Sequence, residues 1–531
     1  MTTDLYRALV PGGILSPGEL LGLVAFAREA GCDGLHLGSR QDVLLPGTDG
    51  VRALAARRHA PPAAGAPSAP PLSPPVSPAV SPAASPVEAP RDLAAVAAVA
   101  SPPEVAGASA LRAPGPLFEP VADSPYSNVV CSYVAAEIFP RTPWLTSATY
   151  LYVLEQFGTP PRFEVNVCDP RQRLAPLFTG HLNFVASPEE DFWFVYAQLP
   201  AWPAPRLFPA LVHSWEIARF VEAAEAIAPA PEGLEALVRG VNARADLDLR
   251  GVDRDLEAPF YPFPYYEGMN RIDASTYWLG LYWRNNWYAL DFLEAMCRLC
   301  LEQRVGKVCI TPWKSLIVTG IPDGRRLAWE RLMGRFGINA RHSSLELNWH
   351  LPVADAEALA LKTYLVREFD KRDISTYGLT FGVASDYARP FTSVLIRRSP
   401  GAPAEVDGFA VRPTYDLLYA RNFDPNTREY LEYAHRVDRA ELTTLILELS
   451  RLYFEQLDEA GGRVIGAAAA EEAPAERRTV YQCRRCLSVY DPEVGDAAAD
   501  VAAGTAFAAL PEGYGCWTCG AGVEAFGAVE M

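Results

Sequence analysis

The chain has 531 residues, 50% of them hydrophobic and 21% charged, enough to bury several cores. Its 47 Lys and Arg against 64 Asp and Glu leave a net charge of −17, which argues against a broad nucleic-acid face or docking on anionic lipid, since both need a basic surface. No apolar run approaches the roughly 18 residues that span a bilayer, and Met1-Thr-Thr-Asp-Leu-Tyr-Arg7 has no charged stretch leading into an apolar one, so a cytoplasmic location is expected.

In chain order, Ser16-Pro17-Gly18-Glu19 predicts a helix start by capping box, with Leu20, Leu23, Val24 and Phe26 as its buried stripe and Gly31 as its stop. Leu35, Leu37, Val43 and Leu45 alternate around Gly38-Ser39-Arg40-Gln41, predicting two strands meeting at a polar bend. Residues 1–58 therefore form one unit. Positions 61–90 hold 11 Pro, 8 Ala and 5 Ser, a composition that cannot offset its ordering entropy, so 59–115 is expected to be a disordered insert, with a short Ala-rich helix near 91–100. Residues 116–270 are expected to mix a helix over 147–157, strands over 163–167 and 192–197, and a helix over 214–227. From 276 the order recurs, with a strand over 278–283, a helix over 289–303, strands over 308–318 bent at Thr311-Pro312, and a helix over 327–336. Strands near 344–350 and 393–397 and an amphipathic helix over 439–456 complete the 271–465 region. A linker over 466–478 precedes a tail at 479–531.

Four of the ten cysteines fall in that tail, as Cys483-Arg-Arg-Cys486 and Cys516-Trp-Thr-Cys519 with 29 residues between the pairs. Two such pairs can close a tetrahedral cage of four thiolates, suited to zinc or to a single iron, and a tail this short needs the metal for much of its stability. Cys297 and Cys300 instead share one helix face with Leu293 and Met296, and with Cys309 are expected in the core. The aromatic stretch 260–292 is likewise expected to be core, with a flat-ligand pocket as the alternative; His181, His342 and His350 are polar-site candidates or locally satisfied histidines. No phosphate-loop, dinucleotide-binding or hydrolase signature is present.

Between the cysteine pairs, Tyr490-Asp-Pro-Glu-Val-Gly-Asp496, Gly504-Thr-Ala-Phe507, Leu510-Pro511 and Tyr514-Gly-Cys516, with Gly520-Ala521 and Phe526 beyond, resemble rubredoxin. The resemblance implies a mononuclear iron centre on Cys483, Cys486, Cys516 and Cys519 that exchanges single electrons with a redox partner protein or reductase. Leu487, Trp517 and Tyr514 depart from the family's usual Gly, Pro and Trp, and such changes bear on redox tuning. A structural zinc site is the alternative.

The body resembles the nitrite and sulfite reductases. Leu35 to Leu45 after the Ser-Pro-Gly-Glu helix resembles their ferredoxin-like half-domain, Ser127-Asn-Val-Val-Cys131 and Pro161-Arg-Phe-Glu-Val-Asn166 resemble segments that follow it, and Cys309-Ile-Thr-Pro-Trp-Lys314 resembles the second half-domain. The implied fold is α+β: duplicated ferredoxin-like half-domains with reductase-like mixed α/β regions, ending in a small metal-stabilised rubredoxin fold. The implied cofactor is sirohaem, with Arg40, Arg162 and Lys314 as cations for its carboxylates; each could equally be a structural ion-pair or carbonyl-binding residue. Ser127 stands for an Arg of that family and Glu164 for a Lys, and its cysteine motif for a [4Fe–4S] cluster is missing. Two functions follow: an oxidoreductase body exchanging electrons intramolecularly with its rubredoxin, or a non-enzymatic scaffold that keeps the reductase fold.

Overall fold

The computed structural model describes residues 4–59, 118–172, 174–202, 204–338, 347–372, 376–384, 389–400, 405–406, 409–410, 413–469, 479–485, 488–496, 499, 501–511, 513–516 and 520–530. All but the first residue of the expected insert at 59–115, its Ala-rich helix, His342 and most of the 466–478 linker lie outside these residues.

The chain opens with β1 (Leu5–Ala8), a 3-10 turn at Pro11–Gly13, β2 (Ile14–Leu15) and α1 (Pro17–Glu29). The predicted capping box starts α1: Glu19 N–H donates to Ser16 Oγ at 3.1 Å and Ser16 N–H to the Glu19 carboxylate at 2.8 Å. Gly31 at φ +77° ends it, in a conformation that L side chains rarely adopt. Strands β3 (Gly34–Leu37) and β4 (Val43–Pro46) then form the expected hairpin, followed by α2 (Asp49–His59) and β5 (Phe118–Pro120).

A mixed α/β region comes next: β6 (Val129–Cys131), α3 (Ser147–Glu155), β7 (Val165–Cys168), β8 (Leu182–Ala186), β9 (Phe192–Ala197), β10 (Arg206–Leu207), β11 (Ala210–His213), α4 (Ile217–Glu225), α5 (Leu234–Asn242) and β12 (Leu249–Gly251). Strands β6, β7 and β8 are parallel, while β8, β9, β11 and β12 run antiparallel in turn.

The whole pattern then repeats. A second half-domain comprises β13 (Gly268–Arg271), β14 (Thr276–Leu281), a 3-10 turn at Arg284–Asn286, β15 (Tyr288–Ala289), α6 (Leu290–Gln303), β16 (Val308–Ile310), β17 (Leu316–Pro322) and α7 (Arg326–Arg335). A second α/β region follows with β18 (Trp349–His350), α8 (Ala356–Arg372), β19 (Phe381–Ala384), β20 (Val394–Arg398), the small pair β21 (Glu405–Val406) and β22 (Phe409–Ala410), β23 (Tyr415–Ala420), β24 (Tyr430–Val437) and α9 (Arg439–Ala469). Here too the first three strands, β18, β19 and β20, are parallel and the next two antiparallel. The first parallel crossover of each copy runs through a helix, α3 in one and α8 in the other.

The two half-domains exchange strands. β2 joins the second half-domain's sheet beside β16, and β15 joins the first beside β3, giving sheet orders β15-β3-β4-β1-β5 and β13-β14-β17-β16-β2. Helices α1 and α6 share one core, with Leu20, Leu23 and Val24 against Leu293, Met296, Cys297 and Cys300. Both cysteines are fully buried and burial pushes their thiols up, which bears out the core reading. Tyr277, Trp278, Tyr282 and Tyr288 of the aromatic stretch are buried as well.

By compactness the chain divides into residues 1–450 and 451–531. In the second unit, β25 (Thr479–Cys483), β26 (Val489–Tyr490) and β27 (Phe526–Glu530) form a three-stranded antiparallel sheet in the order β26-β25-β27. None of the helices described is long and apolar enough to cross a membrane.

Candidate metal centre and the cations of the body

In the tail, Cys483 closes β25 and lies with Cys516 in one small core, walled by Tyr490, Tyr514 and Phe526. Tyr481 stacks on Phe507 at 3.9 Å between ring centroids. The two cysteine turns are built alike. Cys483 N–H donates to the Ser488 carbonyl at 2.8 Å, and Cys516 N–H to the Ala521 carbonyl at 2.7 Å, a span of five residues each time. Gly520, at φ +69°, allows the tight return of the second turn. Such turns aim cysteine side chains at one point, which is the reason for the two-residue spacing. The Ser488 hydroxyl lies 2.8 Å from Cys516 Sγ. Cys486 and Cys519 lie outside the described residues, so the geometry covers half of the expected ligand set. Buried sulfurs, matched turns and an aromatic wall fit a tetrathiolate metal ion.

In the body, the tips of the β3–β4 and β16–β17 hairpins are equivalent, and each carries a residue at φ +59°: Gln41 in one, Lys314 in the other. Each ties its half-domain to the first strand of the α/β region that follows. Gln41 accepts from Cys131 N–H at 2.8 Å and donates to the carbonyls of Cys131 (3.2 Å) and Ile310 (3.0 Å). Lys314 donates from Nζ to the carbonyl of Leu351, just past β18 as Cys131 ends β6. Asn128 and Asn348 precede these strands by one residue. Asn128 spans the first interface, donating to the carbonyls of Val10 at 2.7 Å and Arg40 at 2.6 Å. Sequence reasoning passed over Gln41 because a lone Gln beside an Arg carries no signal of its own.

Of the three expected cations, Arg40 and Arg162 are committed to protein partners, while the Lys314 ammonium makes one hydrogen bond. Arg40 is half-buried and places its two terminal nitrogens on Asn166 Oδ1 (2.7 Å) and the carbonyls of Asn128 (2.7 Å) and Val165 (2.8 Å). Arg162 is exposed and holds Glu225 at the end of α4, donating to its carbonyl at 2.9 Å. Burial pushes the Lys314 ammonium down to about 7, partly countered by Asp42. Glu164 pairs with Arg389, a residue 225 positions away that sequence reasoning did not single out. Burial alone would raise the Glu164 carboxyl, but Arg40, Arg389 and His181 together hold it below its ordinary range. His181 is driven down to about 4 by burial and by Arg389, so it is neutral at pH 7. His350 is half-buried and packs against Trp313 and Phe391.

These residues do not fit a tetrapyrrole. Its carboxylates need free cations, and Arg40 and Arg162 are engaged elsewhere. Two half-open cavities around Trp313 measure about 100 and 200 Å³, below the roughly 300–1,000 Å³ of ordinary ligand sites; a wider, more open one of about 690 Å³ lies along Leu359, Thr363 and Arg367 of α8, away from Trp313. Trp313 itself is buried edge-on against Phe263 at 4.7 Å and Phe391 at 5.1 Å.

Comparison with known proteins agrees with both parts of this description. Residues 480–526 match the family model for rubredoxin, and residues 3–57 that for the nitrite/sulfite reductase ferredoxin-like half domain. The high molecular weight rubredoxin of Moorella thermoacetica is 54% identical over 46 residues, 9% of this chain and 20% of that protein, so the chain spans only a fifth of its length. Rubredoxin-2 of Chlorobaculum tepidum is 46% identical over 46 residues, 9% of this chain and 88% of the relative. The structure of the Mycobacterium tuberculosis NirA protein superposes with a TM-score of 0.56 at 13% identity, over 84% of this chain and 80% of that one, a likeness of fold. Through its C-terminal residues 480–526 the chain belongs to the rubredoxin family, here carried on a body of nitrite/sulfite reductase fold.

Proposed function

We propose that this protein is a one-electron carrier whose tail holds a single iron between Cys483, Cys486, Cys516 and Cys519 and exchanges electrons with a redox partner. The observation that carries this reading is the pair of matched turns bringing Cys483 and Cys516 into one aromatic-walled core. Bound there, iron would supply a ferric/ferrous couple. The chain's own residues set its surroundings: Tyr490, Tyr514 and Phe526 exclude water, and the Ser488 hydroxyl donates to the Cys516 sulfur once that sulfur is a thiolate. The 479–531 segment carries seven acidic residues against two basic ones, which suits a partner with a basic docking face.

The body serves as a binding platform tethered to that carrier. Nine residues separate α9 from β25, and a linker of that length keeps the carrier at roughly millimolar effective concentration near anything the body holds. A reductase-like reaction on the body is the extension of this reading, and no step of it is routed through a tetrapyrrole. A structural zinc site on a scaffold protein is the second reading, favoured by the commitment of Arg40 and Arg162 to protein partners.

Metal analysis and a visible spectrum of the full chain, produced in iron-supplied cells, decide between them. One iron per chain, a red colour that bleaches on reduction, and loss of both in Cys483→Ser and Cys516→Ser are expected. Stoichiometric zinc in natively produced protein would overturn the electron-transfer reading.

A further inference from the structure

The internal duplication allows one copy to be compared with the other. In the first, the turn Pro11–Gly13 is packed solid: a Cβ on Gly12 would lie 2.6 Å from Leu154 and 2.7 Å from Cys131 Sγ, and one on Gly13 only 2.6 Å from the Ile310 carbonyl. The equivalent turn in the second copy is Arg284–Asn286, where Asn285 and Asn286 take up the same left-handed conformation, at φ 64° and 53°. Lys314 replaces Gln41 and Leu351 replaces Cys131. In place of solid packing there is a half-open cavity of about 200 Å³, bordered by this turn, the β16–β17 tip and the loop Leu351–Asp355 leading into α8.

Its chemistry is uneven. The walls are mainly apolar, from Tyr282, Trp313, Trp349, Leu351 and Val353. Two lysines line it, Lys314 and Lys362, 6% and 2% exposed, with Lys362 Nζ donating to the Tyr282 hydroxyl at 3.3 Å; His36 and Asp355 line it as well. Among the described residues the Lys314 ammonium makes a single hydrogen bond, to the Leu351 carbonyl, and the charge of Asp42 reaches it without an ion pair between them. An ammonium has three N–H donors, and burying it without an anion is costly. Trp349, 4% exposed, has a buried indole N–H with no acceptor among the described residues.

We propose that this cavity binds a small carboxylate with a compact apolar body, its carboxylate on Lys314 and Lys362 and its body against Trp313 and Trp349. The volume admits about ten non-hydrogen atoms at interior packing density, so benzoate is a suitable probe. The site is independent of the tail's metal, and its test does not read electron transfer.

Isothermal titration of the full-length, metal-loaded protein is the measurement. Benzoate is expected to bind one per chain, with benzamide, its neutral isostere, at least about tenfold weaker because it forms no charge-assisted bond. Lys314→Met and Lys362→Met should each weaken benzoate about tenfold or more. Should either variant misfold, Val353→Trp, which fills the cavity from its loop and leaves both lysines in place, should abolish binding while circular dichroism stays unchanged. No heat with benzoate at about 10 mM, far above the range of specific binding, would overturn the proposal. So would equal binding of benzoate and benzamide, or displacement of benzoate by nitrite or sulfite at matching concentration, which would mark a plain oxyanion site.

Discussion

Replacing Gln41 with leucine keeps the volume of a fully buried side chain and deletes three hydrogen bonds that join the first half-domain to β6 and to the second half-domain. The Cys131 N–H loses its acceptor, which costs about 1–3 kcal/mol for a buried donor. The Cys131 and Ile310 carbonyls each lose about 0.5–1.5 kcal/mol of net bonding. Leucine recovers part of this through its apolar surface, so a loss of about 3 kcal/mol is expected. Gln41→Glu should cost more at pH 7, because a carboxylate would face two carbonyl oxygens. Burial raises its pKa, so the ionisation penalty grows as pH rises above the unfolded value near 4.3 and vanishes below it. Urea unfolding followed by tryptophan fluorescence reads the body well, since Trp517 is the one tryptophan of the eleven beyond residue 450. A Gln41→Leu loss below about 1 kcal/mol, the size of a single neutral hydrogen bond, would refute the idea that this side chain ties the domains together.

Three further outcomes are expected. Glu164→Lys restores the cation the reductase family carries there, yet sets it beside Arg40, Arg389 and His181; the body should lose about 1–3 kcal/mol in urea unfolding. Lys314 is depressed to about 7 in the fold against about 10.4 in the unfolded chain, so the unfolded state binds the extra proton between those values and stability rises with pH across that window. Subtracting the pH profile of Lys314→Met from that of the parent isolates this slope, since Asp42, His36 and His350, its titratable neighbours, are present in both. Ser488→Ala removes the hydroxyl at the Cys516 sulfur and should lower the midpoint potential of the iron-loaded tail, read by spectroelectrochemistry, without releasing the metal.

Local signals were legible in the sequence. The capping box at Ser16–Glu19, the polar bend at Gly38–Gln41 and the strand over 192–197 stand where their residue patterns place them, because each depends on neighbours a few positions apart. The helix predicted over 439–456 extends to Ala469, and α8 went unpredicted although Ala358, Leu361, Leu365 and Phe369 form its buried stripe at helical spacing. What the sequence hid is long-range. The duplication was legible as an element order that recurs from 276 and through the family resemblance, but the points at which the halves match were not, because they exchange Gln for Lys and Gly-Gly for Asn-Asn. Arg40 showed as a cation, but that its charge is spent on Asn166 and two carbonyls depends on β6 and β7, more than 80 positions further on.

The reciprocal loan of β2 and β15 has a consequence for synthesis. Tyr288 and Ala289 pair with Leu35 and Gly34, so the first sheet stays open along one edge until the ribosome has made about 250 residues more. At roughly 5–20 residues per second, the newborn N-terminal half waits on the order of tens of seconds with a strand edge bare. Cutting the gene between the two halves should therefore yield two sticky fragments that dissolve only when made together.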